Sequence, residues 1–125
     1  MEYTITSNKK NTSAVIHFAS SNATLTIAGN SSVSNIATGD EVLSGAYITQ
    51  IAWGCDGVAH IQILRGGSLV GVYDSTGFVE YAGTGMPLSA NSTSDLTVNF
   101  VGSSNAYCIL EVQKVGDFVS EYFQN

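Results

Sequence analysis

Two histidines, His17 and His60, two cysteines, Cys55 and Cys108, and ten carboxylates are the side chains through which this chain of 125 residues could do chemistry. Their spacing matches no familiar catalytic or metal motif, and no acid has the distinctive context of a glycosidase pair. A nucleophile with its base needs a histidine oriented by a loop beside a serine or cysteine, and both histidines fall inside segments of strand pattern, where they read as outward-facing residues. No G-x-S-x-G, H-E-x-x-H or phosphate-loop pattern occurs. Zinc would call for C-x-x-C or closely spaced histidines, whereas the two cysteines stand 53 positions apart. Asp40, Glu41, Asp56, Asp74 and Asp95 all fall at predicted turns or strand edges, where a carboxylate accepts backbone N–H bonds. No D-x-D-x-D-G run offers calcium its set of oxygens. The expectation is therefore of no catalytic residue, no metal and no cofactor.

The charge balance narrows the partners in the same way. Four Lys or Arg against ten Asp or Glu give a net charge of −6, which repels phosphate backbones and anionic lipid, so neither nucleic acid nor membrane is an expected partner. The apolar runs are far shorter than the roughly 18 residues needed to cross a bilayer, and a soluble protein is expected. The opening Met1-Glu2-Tyr3-Thr4 has neither a basic n-region nor an apolar h-region, so signal-dependent secretion is not expected. In a reducing cytoplasm both thiols would stay free, with Cys55 at a hairpin tip and Cys108 packed in the last strand as a small hydrophobe.

The elements that would position these residues are strands. Ser, Thr and Asn make up 36 of the 125 residues, and good helix formers are scarce, so Thr, Val, Ile and Tyr supply strands while Ser, Asn and Gly supply turns. Period-2 alternation predicts a strand at Glu2–Ser7, then a strand, a turn and a strand over Ala14–Ile27, followed by an irregular stretch from Gly29 to Ala46 in which Glu41-Val42-Leu43 could form a short edge. Tyr47–Trp53, Val58–Arg65 and Ser68–Asp74 read as a three-stranded meander. Phe78–Tyr81 reads as a short strand after the Asp74–Gly77 turn, Ala82–Thr93 as a loop, and the segments starting at Leu96 and Cys108 as two final strands around Gly102–Asn105. If those last two pair as a hairpin, Val98 faces Ile109. The sum is an all-β fold, an antiparallel β-sandwich or jelly-roll-like domain of about eight to ten short strands, spanning 1–115 with a C-terminal tail at 116–125.

Gly66-Gly67 is the sharpest local signal, because two-residue hairpins need positive φ. Counting outward from it sets Leu64 opposite Leu69, Ile63 opposite Val70, Ile61 opposite Val72 and His60 opposite Tyr73. One face, Ile61, Ile63, Val70 and Val72, is then a core face. The other, His60, Leu64, Leu69 and Tyr73, is too apolar to meet water alone and is a candidate interface. The tail offers Phe118, Tyr122 and Phe123 as further anchors, expected to leave the sandwich and lie against another subunit.

With its Tyr3-Thr4-Ile5-Thr6-Ser7-Asn8-Lys9-Lys10 opening, its Ala52-Trp53-Gly54-Cys55-Asp56-Gly57 hairpin and its Tyr73-Asp74-Ser75-Thr76-Gly77 turn, the chain resembles small β-rich virion proteins of tailed, particularly marine, bacteriophages. The resemblance implies a non-enzymatic structural protein located in the virion, a capsid decoration or cement protein bound to the major capsid protein. It also implies a homo-oligomer, by analogy a trimer seated at threefold positions. The alternative is a carbohydrate- or receptor-binding module, as in a phage appendage or adhesin, stacking sugars on Tyr3, Tyr47, Trp53, Tyr73, Tyr81 or Tyr107. Three or more coplanar exposed aromatics beside Asn or Asp would favour that alternative.

Overall fold

Gly66 and Gly67, with φ of 59° and 86°, close a two-residue hairpin between β6 (His60–Arg65) and β7 (Ser68–Asp74). Positive φ at both positions makes the turn type I′, which costs glycine nothing and matches the twist of the flanking strands. This hairpin is the tip of a long nested ribbon. Moving outward from it, β5 (Val42–Cys55) pairs β8 (Thr76–Glu80), β3 (Ala23–Leu25) pairs β9 (Leu96–Val101), and β2 (Ser13–Ala19) pairs β10 (Ala106–Gly116). Rolling the ribbon up adds two seams, β10 on β5 and β9 on β6. The result is a six-stranded sheet in the order β1-β2-β10-β5-β4, with β8 also on β5, facing a four-stranded sheet β3-β9-β6-β7; β1 is Tyr3–Asn8 and β4 is Gly29–Asn30. All pairings are antiparallel, and the wrapping is that of a jelly roll.

These strands come from a computed structural model that describes residues 3–10, 12–19, 21–30, 32–39, 41–56, 59–81, 94–102 and 105–116. No helix occurs among them. The core follows the alternation of the sequence: Ala14, Ile16 and Phe18 of β2, Ile61 and Ile63 of β6, Leu96 and Val98 of β9, and Cys108, Leu110 and Val112 of β10 are all buried.

The long-range pairing departs from the sequence reading in three places. First, β5 and β6 are not neighbours in a meander: β5 lies in the six-stranded sheet and β6 in the other. Second, β9 and β10 do not form the hairpin that would set Val98 opposite Ile109, since Val98 pairs Ile63 and Ala23 while Ile109 pairs His17 and Ala52. In both cases a period of two says which residues face inward, and says nothing of which sheet a strand joins. Third, the register of β6 with β7 shifts between Ile63 and Leu64, so that Gln62 faces Val72, Ile61 faces Tyr73 and His60 faces Asp74. Val70 is the extra, buried residue of this bulge. The slip exchanges two predicted positions: Val72 points outward, and Tyr73 turns inward onto Trp53, ring centroids 4.7 Å apart. A tyrosine buries more apolar area than a valine, and an edge strand such as β7 accommodates a bulge readily.

The inward row of β10 ends in a lysine. Lys114, opposite Ala46, follows Cys108, Leu110 and Val112 on the inner face and is buried there. Its Nζ donates to Glu41 Oε1 at 2.8 Å, and both side chains are fully enclosed. The same oxygen accepts the backbone N–H of Thr38 at 2.7 Å and its hydroxyl at 2.8 Å. Glu41 thus does the turn chemistry expected of it and, in addition, ties the irregular stretch before β5 across the end of the sandwich. Removing one member of a buried, hydrogen-bonded pair strands the other charge, so Lys114→Met should cost about 3–5 kcal/mol in urea-unfolding measurements. The double variant Lys114→Met/Glu41→Leu, which removes both charges, should recover most of that loss.

Candidate functional site

The apolar face expected of His60, Leu64, Leu69 and Tyr73 is altered in the structure. His60 and Leu64 lie half-buried on the outer surface of the four-stranded sheet, with Leu69 beside Leu64 and 53% exposed. Tyr73 is not on this surface, for the reason given by the bulge. Val72, 55% exposed, takes its place next to Gln62, and Val101, 39% exposed, lies across from His60. Leu69, Leu64 and Val72 form one apolar strip along the β7 edge. Phe118, Tyr122 and Phe123 lie outside the described residues, as does the rest of the tail after Gly116.

The six-stranded sheet carries a second outer surface that the sequence reading did not single out. Phe78, Ala52, Ile109, His17 and Thr4 form one row across five strands, and Phe78 is 60% exposed. Alternation in β10 and β8 could have indicated it, had the pairing been known. Tyr107 lies next to this row over Gly54, and a Cβ at Gly54 would sit 2.5 Å from the tyrosine ring. His17 meets that ring edge-on, centroids 6.4 Å apart at 90°. Glycine is therefore required at position 54 by close approach, and the ring is held in place from below and from one side.

Gly54, Cys55, Asp56, Thr76, Asn105, Ala106 and Tyr107 line an open depression of about 480 Å³. It sits at the end of the sandwich where β5 leads to β6, β7 to β8 and β9 to β10. Short hydrogen bonds hold this end together. Trp53 Nε1 donates to the Asp74 carbonyl at 2.8 Å, the Cys55 N–H to the Ser75 carbonyl at 2.8 Å, and the Phe100 N–H to Asn22 Oδ1 at 2.7 Å. Ser75 adopts a φ of 60°, uncommon for a residue with a Cβ, to make the crossing between the two sheets.

Of the aromatics considered for sugar stacking, Tyr3, Trp53, Tyr73 and Tyr81 pack against the core, Tyr47 is half-buried, and Tyr107 is 39% exposed. They do not form a row of three exposed rings. Among the described residues, no group of three His, Cys, Asp or Glu side chains could hold a metal ion.

Cys55 and Cys108 are both free thiols on β5 and β10. Cys55 is half-buried at the end of its strand rather than at a hairpin tip, and its Sγ lies 3.4 Å from the Ala59 carbonyl. Cys108 is in the core, and burial pushes its thiol up to about 12 from an ordinary 9.0. Burial likewise raises the Tyr73 phenol, with Tyr81 beside it adding to the effect.

No protein-family model, curated protein or solved structure matches the chain.

Two outcomes follow for the thiols. In the native protein a maleimide reagent should label Cys55 well before Cys108, and both should react at once in denaturant, as mass spectrometry would resolve. Stability should also fall as pH rises from about 9 to about 12, because Cys108 ionises in the unfolded chain long before it does in the fold. That single group contributes a slope of up to about 1.4 kcal/mol per pH unit, and Cys108→Ala should flatten the decline correspondingly.

Proposed function

We propose that the chain is a non-enzymatic structural protein of a virion, a capsid decoration or cement protein that binds the major capsid protein and associates with copies of itself, as a trimer by analogy. The observation that carries this reading is the strip of Leu69, Leu64 and Val72 on the outer face of the four-stranded sheet, with two large aliphatic side chains more than half exposed on neighbouring positions. Water is a poor neighbour for such a face. Covering it with another subunit would return roughly 25 cal/mol for each Å² of apolar surface removed, over a contact of about 800 Å² per partner. The resemblance to phage virion proteins supplies the kind of partner. The fold itself is neutral on this point, because jelly rolls serve in viral capsids and in lectins alike.

With four basic residues in the chain, apolar contact rather than ion pairing would supply the affinity, and binding would change little with salt. The direct test is mass spectrometry of purified virions from the genome that encodes the chain. The expected result is this protein in fixed proportion to the major capsid protein, and its absence from virions would overturn the reading. In solution, sedimentation velocity should show an oligomer for the native protein. Leu69→Lys/Val72→Lys, at two exposed positions, should give a folded monomer that no longer binds the shell.

A further inference from the structure

Among the described strands, every outer strand of the two sheets except β8 carries a device that discourages pairing with another chain. Strand β1 bulges at Thr6, β7 bulges at Val70, and β3 and β4 have only three and two residues. Bulges and short lengths are the usual guards of a sheet edge. Strand β8 has neither: it pairs β5 without a shift from Thr76 to Glu80, and no strand lies on its other side. The Cys55 N–H donates to the Ser75 carbonyl and the Tyr81 N–H to the Thr49 carbonyl, which fixes the phase of the ladder, so the odd-numbered residues of β8 bond to β5. Thr76, Phe78 and Glu80 therefore turn their N–H and C=O groups to the open side, where no backbone partner meets them among the described residues.

An open row of alternating donors and acceptors is matched by another strand, and the side chains of β8 fit a copy of itself. Antiparallel pairing about Phe78 sets the Phe78 rings of the two copies opposite each other and Thr76 of each copy opposite Glu80 of the other. The rings, 60% exposed in the single chain, would then cover one another. Each Glu80 would meet a hydroxyl instead of a second carboxylate, and its Oε2 already accepts a hydrogen bond from Gln50 Nε2 on the β5 side at 2.9 Å. Sliding the register to the next positions that keep the free groups in line would put each ring opposite Thr76 or Glu80 and lose the aromatic pair. We propose that β8 is a second self-association surface, through which two copies join by antiparallel strand addition about a two-fold axis at Phe78, forming one continuous sheet. The contact is separate from the Leu69–Val72 strip, which lies on the other sheet, and it rests on the assembly reading only for the larger structure in which it would act.

A strand of 5 residues buries well below the roughly 800 Å² per partner of a stable contact, so the edge alone is weak, with a Kd on the order of 100 µM. The test is sedimentation velocity of the full chain carrying Leu69→Lys/Val72→Lys, which removes the strip, from about 10 µM to about 500 µM. The chain should run as a monomer at the low end and as a reversible dimer at the high end, and amide hydrogen exchange at Phe78 and Glu80 should slow as the dimer forms. Phe78→Tyr should keep the dimer, and Phe78→Ala should weaken it about tenfold. Phe78→Pro, which also removes an outward N–H that β5 does not use, should abolish it and leave the rest of the amide spectrum native. An oligomer that persists at about 10 µM in this background would count against the strip, and its loss on Phe78→Pro would still support the edge. A chain that stays monomeric at about 500 µM, exchange that slows on another strand instead of β8, or association that survives both Phe78→Ala and Phe78→Pro in folded chains would overturn the proposal.

Discussion

The fold depends on one long pairing, that of β5 with β10. Eleven residues of β10 find partners on β5, and this seam converts a nested ribbon into a closed roll. Its inward pairs, Trp53 with Cys108, Ile51 with Leu110, Ile48 with Val112 and Ala46 with Lys114, make the central inner wall of the larger sheet. The pairing does not run evenly. Its register shifts between Glu111 and Val112, and there Thr49 places its hydroxyl 3.1 Å from the Glu111 carbonyl and 2.9 Å from its carboxylate. A bulge bends and twists the strand that carries it, which is how a strand as long as β5 can follow a curved sheet. Without this seam β5 and β10 would each present an open edge to any strand that could pair with it.

The two ends of the roll have different chemistry. Where β5 begins and β6 finishes, the interior closes on charges: Lys114 on Glu41, and Arg65 with its guanidinium donating to the Ser94 carbonyl at 3.0 Å. Desolvation lowers the affinity of Arg65 for its proton, and the carboxylate of Asp95 works in the opposite direction. Buried charges held this way do little for net stability, because the cost of removing them from water offsets their attraction. Ile36 is buried in the stretch between β4 and β5 that delivers Glu41, so the segment is docked by apolar contact as well as by the ion pair. At the opposite end no such plug exists among the described residues. Trp53 Nε1 donating to the Asp74 carbonyl, the Cys55 N–H to the Ser75 carbonyl and the Phe100 N–H to Asn22 Oδ1 brace the crossings there.

The outer faces divide along the same lines. Strand β7 is an edge, and its bulge leaves Leu69 and Val72 outside while bringing Val70 and Tyr73 in. The apolar strip is thus a consequence of packing inside: once Tyr73 leaves for Trp53, the valine next to it has nowhere to go but outward. Phe78 on the larger sheet has the same standing, exposed because β8 turns its Val79 toward β5's inner row at Ile51.

Read alone, the amino acids settle a good deal. Composition and period-2 alternation determine an all-β chain, the approximate strands, the two-residue hairpin at Gly66-Gly67 and most of the inward residues, because these depend on local sterics and on which side chains avoid water. The amino acids alone do not place Lys114: the alternation of Cys108, Leu110 and Val112 continues to it, but what keeps its charge inside is Glu41, 73 residues away in the chain. Which sheet each strand joins, the one-residue slip that exchanged Val72 for Tyr73, and the meeting of Asp56, Thr76, Asn105 and Tyr107 at one mouth were decided by the tertiary structure. Alternation carries the face of a strand and carries no record of its neighbour. Neighbours are chosen by the collective fit of two sheets, in which a tyrosine on a tryptophan outweighs the register that a single turn would set.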